Sequence, residues 1–239
     1  MSNKDIVEYY VSKFVDRTLN QRDFIDNLTF LTDQAWWRKN LTLFELYRKA
    51  IPKHGDIWIC GARWGNQLPL FAEFREVLEP HNFQRSIVGF DTFSGFPKWE
   101  KVKGEERIKE GLFSVTEEWV GELPALASAH SNTLFNGSYR VDIVKGNVLE
   151  TIPEYLESHP QTLISLVYMD LDLYEPTLAT LKNIYPRLMK GSIIVFDELN
   201  DPIFPGETVA MLEFFNELGV KPDVQRLPFS ERISYVVVD

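Results

Sequence analysis

From Asp56 onward, six short apolar runs rich in β-forming residues alternate with stretches of helical periodicity. The runs are IWIC (57–60), SIVGF (86–90), YRVDIV (139–144), LISLVYM (163–169), GSIIVF (191–196) and ISYVVV (233–238). Between them, helices are predicted near 66–79, 115–129, 150–157, 175–189 and 206–218. Runs that are apolar throughout, rather than at every second position, are what strands buried on both faces look like. Strand and helix in strict alternation call for right-handed crossovers and a mostly parallel sheet. After the last helix, PDVQRLP and RISYVVVD lie close enough to form an antiparallel pair.

Five β-α units closed by such a hairpin are the layout of a class I methyltransferase sheet. The expected fold is therefore α/β and Rossmann-like, a mostly parallel sheet of seven strands with an antiparallel C-terminal strand. Residues 1–54 read as helix. Ile6, Tyr9, Tyr10, Lys13, Phe14 and Val15 follow helical spacing, as do Trp37, Leu41, Phe44 and Tyr47, and no Pro or Gly precedes Pro52 and Gly55. This N-terminal helical segment is expected to belong to the same domain as residues 55–239. No repeat or linker divides the chain, and 239 residues suit one α/β domain.

Composition narrows the partners. A net charge of -10 without a basic run argues against nucleic acid, because phosphate contacts need clustered Lys and Arg. No apolar stretch reaches the roughly 18–20 residues that span a bilayer, and the N-terminus lacks a signal-peptide core. The single cysteine, Cys60, cannot form a disulfide within the chain. A cytoplasmic protein is expected. The aromatics apolar enough to pack between subunits in the N-terminal helices make a homo-oligomer a reasonable expectation.

In open α/β sheets, ligands bind at the carboxyl ends of the strands, where the topology switches. Four strand ends are notable here. Cys60-Gly61-Ala62-Arg63-Trp64-Gly65-Asn66 places glycines after the first strand, either for a plain tight turn or to let a ligand approach the backbone. Asp91, ending SIVGF, can accept hydrogen bonds from both hydroxyls of a ribose, or cap a turn. Asn147, after YRVDIVKG, can face an adenine edge, and turn chemistry explains it equally well. The strongest signal is acidic: LVYM runs into Asp170-Leu171-Asp172, and GSIIVF runs into Asp197-Glu198. Like charges so close need a shared proton or a cation, and oxygen-only ligands suit a hard ion such as Mg²⁺. Asp172 can instead cap the helix entered at Glu175-Pro176. Residues 91–115 are long for a connection and mix Phe93, Phe96, Trp99 and Phe113 with charges, which favours a lid over the acceptor. None of the four histidines has a partner that suggests a triad or a zinc site.

GDIWICGARWGN, GFDTFSGFP, VKGNVLETIP, VYMDLDLYEPTLATLKNIYPRLMKGSIIVFDE and PGETVAMLEFF, taken in order over roughly residues 40–239, resemble the macrocin/mycinamicin-type sugar O-methyltransferase family. The resemblance implies an enzyme that takes its methyl group from S-adenosylmethionine (SAM), uses a divalent cation, usually Mg²⁺, and methylates a sugar hydroxyl. It implies that Asp91 holds the SAM ribose and that Gly61 and Gly65 belong to the loop beside the methionine part; Arg63 in that loop and Asn147 are the further expected cofactor contacts. Asp170 matches a metal ligand placed to help deprotonate the acceptor, and Asp197 and Glu198 match the paired acid that completes the metal site.

Three positions depart from the family pattern. Ile59 stands where an acid is common, the loop reads Arg63-Trp64-Gly65-Asn66 where an aromatic, an arginine and two glycines are usual, and Glu198 replaces an aspartate. The expected activity is metal-dependent O-methyl transfer to a small hydroxylated acceptor. The competing reading is a non-catalytic SAM- or nucleotide-binding protein of the same fold, against which the acid set argues. A nicotinamide-dependent dehydrogenase is disfavoured: no close G-x-G-x-x-G is present, and Gly61 and Asp91 are 30 residues apart where about 20 are usual.

Overall fold

The structure is a computed structural model that describes residues 8–239 except 10, 14, 15, 17–19, 31 and 132–140. Ile6, Tyr10, Phe14 and Val15 of the first predicted helix, and the opening two residues of the YRVDIV run, lie outside the described residues. The elements are α1 (Gln21–Asp26), a 3-10 turn (Leu28–Phe30), α2 (Gln34–Ala50), β1 (Asp56–Cys60), α3 (Gln67–Leu78), β2 (Ile87–Asp91) and α4 (Glu117–Ser131). They continue as β3 (Val141–Lys145), α5 (Val148–Ser158), β4 (Ile164–Met169), α6 (Tyr174–Ile184), β5 (Leu188–Phe196), α7 (Gly206–Glu217) and β6 (Ser234–Val237).

The strand order is β3-β2-β1-β4-β5-β6, with every pair parallel except β5 and β6. The chain therefore reverses direction across the sheet between β1 and β4, which opens a crevice at their carboxyl ends. Each face of the sheet carries its own core. Trp58, Cys60, Val88, Phe90, Val167 and Phe196 face α5, α6 and α7, whereas Ile57, Ile59, Ile87, Tyr168 and Val195 face α2 and α3. Successive residues of β1 and β4 thus bury opposite faces, as the uniformly apolar runs require.

The sheet has six strands among the described residues, not the seven expected. PDVQRLP does approach β6, but only as a single antiparallel bridge between Gln225 and Tyr235. Pro222 and Pro228 bracket that bridge and have no N–H to extend a ladder. The helix predicted over 175–189 is also shorter. Pro186 follows Tyr185, which ends α6 in a 3-10 turn and lets β5 begin at Leu188. Among the described residues no helix is long and apolar enough to cross a membrane.

The N-terminal segment is tied into the domain by α2. Asp33 caps it by accepting from the Trp36 N–H, and Leu43, Leu46, Tyr47 and Ala50 are buried against the sheet. Its position aims Lys39 at the ends of β4 and β5.

At the opposite, amino-end rim of the sheet, Arg85 is buried and acts as a many-armed staple. It donates to the carbonyls of Gly55 (2.7 Å), Lys53 (2.8 Å) and Ile51 (3.3 Å) and to the Ser165 hydroxyl, and pairs with Glu79 at 2.9 Å. Tyr47 donates to the same Glu79 carboxylate at 2.6 Å.

Candidate active site

A cleft of about 500 Å³ opens at the carboxyl ends of the strands. Gly61, Arg63, Asp91, Asn147, Asp170, Asp197 and Glu198 all line it. Gly65 does not: it shapes the loop from behind, at φ +74°, where a Cβ would crowd the Leu123 side chain of α4. Gly61 sits at φ +91°, and a Cβ there would overlap the Asp170 carbonyl. Only glycine lets the β1 loop close onto the end of β4, where the Asp170 N–H donates to the Cys60 carbonyl at 2.8 Å. Trp119 of α4 braces the same loop by donating its indole N–H to the Trp64 carbonyl at 3.1 Å.

Asp91 ends β2 facing this loop. Its two oxygens accept the N–H groups of Arg63 at 2.7 Å and Phe93 at 2.5 Å. Burial pushes its carboxyl up, and those two N–H groups and the Arg63 guanidinium oppose the shift. A carboxylate has about four lone-pair sites, so two stay open to a ligand diol while the backbone fixes its orientation. Asn147 caps α5, its amide oxygen accepting from the Leu149 N–H at 3.1 Å. Turn chemistry therefore accounts for its carbonyl.

On the other side of the switch, Asp170 follows β4 and Asp197 follows β5. The Tyr168 hydroxyl, buried beneath them, lies 3.1 Å from Asp170 Oδ2 and 2.5 Å from Asp197 Oδ1. Lys39 Nζ lies 3.5 Å and 3.3 Å from the same two oxygens. Burial works against the Lys39 charge, but Asp170 and Asp197 outweigh it and hold the ammonium above its ordinary range. Arg232 pairs with Glu198 and, at 3.3 Å, with Asp201.

Burial first, and then the charge of Asp197, push Asp170 up to about 7, against the pull of Lys39 and the Tyr168 hydroxyl. Burial and the neighbouring Glu198 push Asp172 up to about 10. The sequence called for a shared proton or a cation among these acids, and the structure has both: Lys39 and Arg232 from distant segments pair with them, and protons are favoured on Asp170 and Asp172. Among the described residues no three acids converge as a preformed metal site. Lys39 and Arg232 take one oxygen each of Asp170, Asp197 and Glu198.

The donor chemistry nevertheless fits a hard cation. The set is oxygen-only, Glu198 Oε2 is buried with no hydrogen-bond partner among the described residues, and an ammonium already sits between two of the carboxylates.

Sequence reasoning missed Lys39, Tyr168, Arg232 and two buried glutamates, Glu105 and Glu207. Tyr168 had a legible signal, since it stands two residues before Asp170 on the same strand. Lys39 and Arg232 had none, because helix and loop positions far away in the chain supply them.

The 92–116 segment folds over the cleft, and Phe96, Leu112 and Phe113 line it. It is stitched by Phe96 N–H to Leu112 O (3.1 Å) and Gly111 N–H to Phe96 O (2.9 Å), and Phe96, Phe113 and Phe204 pack ring against ring. Glu105, fully buried, pins it by accepting from Trp99 Nε1 (2.9 Å), the Val102 N–H (3.1 Å) and the Tyr174 N–H that opens α6 (2.8 Å). Glu105→Ala would leave one buried and two part-buried donors without this acceptor, at roughly 1–3 kcal/mol for a group that stays unsatisfied. Amide exchange across Phe96–Leu112 is expected to accelerate at least tenfold in that variant. Exchange as slow as in the parent would mean that the rings alone hold the cover.

A doubly wound sheet of this order, with a glycine loop and a β2-end acid on one side of its switch point and an acid cluster on the other, defines a class I methyltransferase. The chain belongs to the macrocin O-methyltransferase (TylF) family, which it matches over residues 47–229, and it is an O-methyltransferase. Two solved structures of CalS11 are similar to it across nearly its full length. One, described as a calicheamicin methyltransferase, is 35% identical, with a TM-score of 0.87 over 98% of this chain and 91% of that one. The other, the apo form of this TDP-rhamnose 3'-O-methyltransferase, is 33% identical, with a TM-score of 0.83 over 98% and 93%. The O-methyltransferase NovP shares the fold at 18% identity and a TM-score of 0.66, over 84% of this chain and 79% of that one. No sequence among curated proteins matches the chain.

Proposed function

We propose that this enzyme moves the methyl group of SAM to a sugar hydroxyl, with a divalent cation such as Mg²⁺ held by Asp170, Asp197 and Glu198. The observation that carries the reading is the single cleft that joins the Asp91–Gly61 loop to the acid pair of β4 and β5. SAM would lie along β1 and β2, its ribose hydroxyls on Asp91 and its methionine part beside Gly61 and Arg63, with Gly65 shaping that loop from behind. The Asn147 amide would border the adenine.

In the reaction, the acceptor oxygen attacks the methyl carbon as the carbon–sulfur bond breaks, leaving S-adenosylhomocysteine (SAH). The acceptor proton passes to Asp170, the carboxylate just beyond β4 that lines the cleft. Tyr168 fixes that carboxylate by its hydrogen bond, and the 92–116 cover excludes water. A bound divalent cation supplies Lewis acidity toward the acceptor oxygen.

The acceptor class follows from kinship: CalS11 acts on TDP-rhamnose, so a nucleotide-linked deoxysugar is the first acceptor to test. The catalytic unit in this reading is residues 55–239, with 1–54 part of the same domain because α2 delivers Lys39 to the site. The exposed Trp36, Trp37 and Leu41 of α2 offer a face for a homo-oligomer.

The test pairs transfer with binding. Incubation with SAM, Mg²⁺ and TDP-rhamnose should yield methylated sugar, and EDTA should abolish the product while SAH binding persists. Asp91→Ala should weaken SAH at least tenfold. At pH 7, Mg²⁺ added to the metal-free protein should release protons, since Asp170 must give up its own to ligate. Full turnover in EDTA removes the cation from the reading. Failure with every sugar nucleotide tried removes the acceptor class.

A further inference from the structure

Glu207 stands in the first turn of α7, where an acid ordinarily faces water and favours the positive end of the helix. Here its side chain is fully buried and its carboxylate reaches outside its own helix. Oε1 accepts the N–H of Leu171 at 3.1 Å and of Asp172 at 3.4 Å. Oε2 accepts the N–H of Glu198 at 3.2 Å. Those donors belong to the loops that leave β4 and β5, each immediately beyond an acid of the site.

Two further features show that the backbone is built for this contact. Asp172 sits at φ +60°, a left-handed conformation that is unfavourable for a residue with a side chain, in a tight turn where the Leu173 N–H meets the Leu171 carbonyl at 2.6 Å. Surrounding structure must hold such a turn, and Glu207 grips it at two N–H groups. Gly206 precedes it, and a Cβ there would overlap the Tyr174 N–H region and the Glu105 carboxylate. Its lack of a side chain lets α7 start against the β4–α6 loop.

We propose that Glu207 is a positioning residue for methyl transfer: one carboxylate spanning the β4 and β5 ends sets the mutual placement of Asp170 and Glu198. It touches neither SAM nor acceptor in this arrangement. The proposal rests on the reading of Asp170 and its neighbours as the reacting acids.

Glu207→Gln is the test, since it preserves size while replacing one acceptor oxygen with an NH₂ group. Whichever way the amide turns, one of the two loops then faces a donor instead of an acceptor. The expected result is a fall in kcat of at least thirtyfold, with KM for SAM and the affinity for SAH within twofold of the parent. Glu207→Asp, which keeps the carboxyl group but draws it back by a methylene, should show the same split more weakly. If Glu207 only stabilised the fold, assays well below the unfolding temperature would show unchanged kcat in both variants, and the proposal would fall. Amide exchange at Leu171, Asp172 and Glu198 gives a second reading that needs no turnover. It should accelerate at least tenfold in Glu207→Gln while the β1 and β2 amides stay unchanged. Unchanged exchange at those three amides overturns the clamp even if the parent methylates sugars. Accelerated exchange in a parent that methylates none keeps the clamp and refutes only the sugar reading.

Discussion

Asp170→Asn is expected to lower methyl-transfer turnover by about a thousandfold, the middle of the range that general bases contribute. The substitution keeps the shape and removes the one group placed to take the acceptor proton. Tyr168 and Lys39 remain, but a hydroxyl whose pKa burial holds far above ordinary, and an ammonium held charged, do not accept protons. SAM binding should be untouched, because Asp91 and the Gly61 loop lie across the switch point. Stability should move the other way. A carboxyl with its pKa raised to about 7 in the folded state and near 4 when unfolded binds more proton when folded between those values. Its contribution is present at low pH and lost as pH rises through 4 to 7. The asparagine variant escapes that loss, so at pH 8 it should melt no lower than the parent. Turnover within tenfold of the parent would take Asp170 out of the chemistry, and calorimetry at two pH values checks the stability half.

Arg85→Met should cost about 3–5 kcal/mol, the usual consequence of breaking a buried ion pair on one side only. Glu79 would keep the Tyr47 hydroxyl but lose its cation, and the carbonyls of Ile51, Lys53 and Gly55 would lose a shared donor. For a chain of this size each kcal/mol moves the midpoint by about 2–4 °C, which predicts a drop of roughly 6–20 °C. Arg85→Lys should recover only part of it, because a single ammonium cannot replace a fork that reaches three segments. A midpoint within 2 °C of the parent in Arg85→Met would show that water satisfies these groups instead.

Much of this arrangement was legible in the sequence because it depends on short-range pattern. The apolar runs located six strands to within a few residues, and acids directly after three of them marked Asp91, Asp170, Asp197 and Glu198, all of which meet in one cleft. Misreadings came from proline: Pro186 cut a helix short, and Pro222 with Pro228 reduced the seventh strand to a bridge. The partners that compensate the acids were not legible. Lys39 looks like any charged residue on an amphipathic helix, and Glu207 like a routine first-turn acid. Both acquire their roles from how α2 and α7 pack on the sheet, which no local spacing encodes. Glu105, one of many charges in a polar loop, gave no sign that it would be buried.

The central pairing also decides the order in which the protein can be made. β1 pairs with β4, so Ile57 meets Leu166 more than a hundred residues later in the chain, and Gly61 finds the Asp170 backbone only across that distance. Pairings of such long sequence separation are slow to form. As the chain leaves the ribosome, the early half has β1 and β2 but not the β4 end onto which the glycine loop closes. Until β4 emerges, one edge of β1 waits unpaired, an opening for chaperones and for aggregation alike. Fragments that stop short of Asp170 should therefore be degraded or held by chaperones rather than accumulate as half-domains.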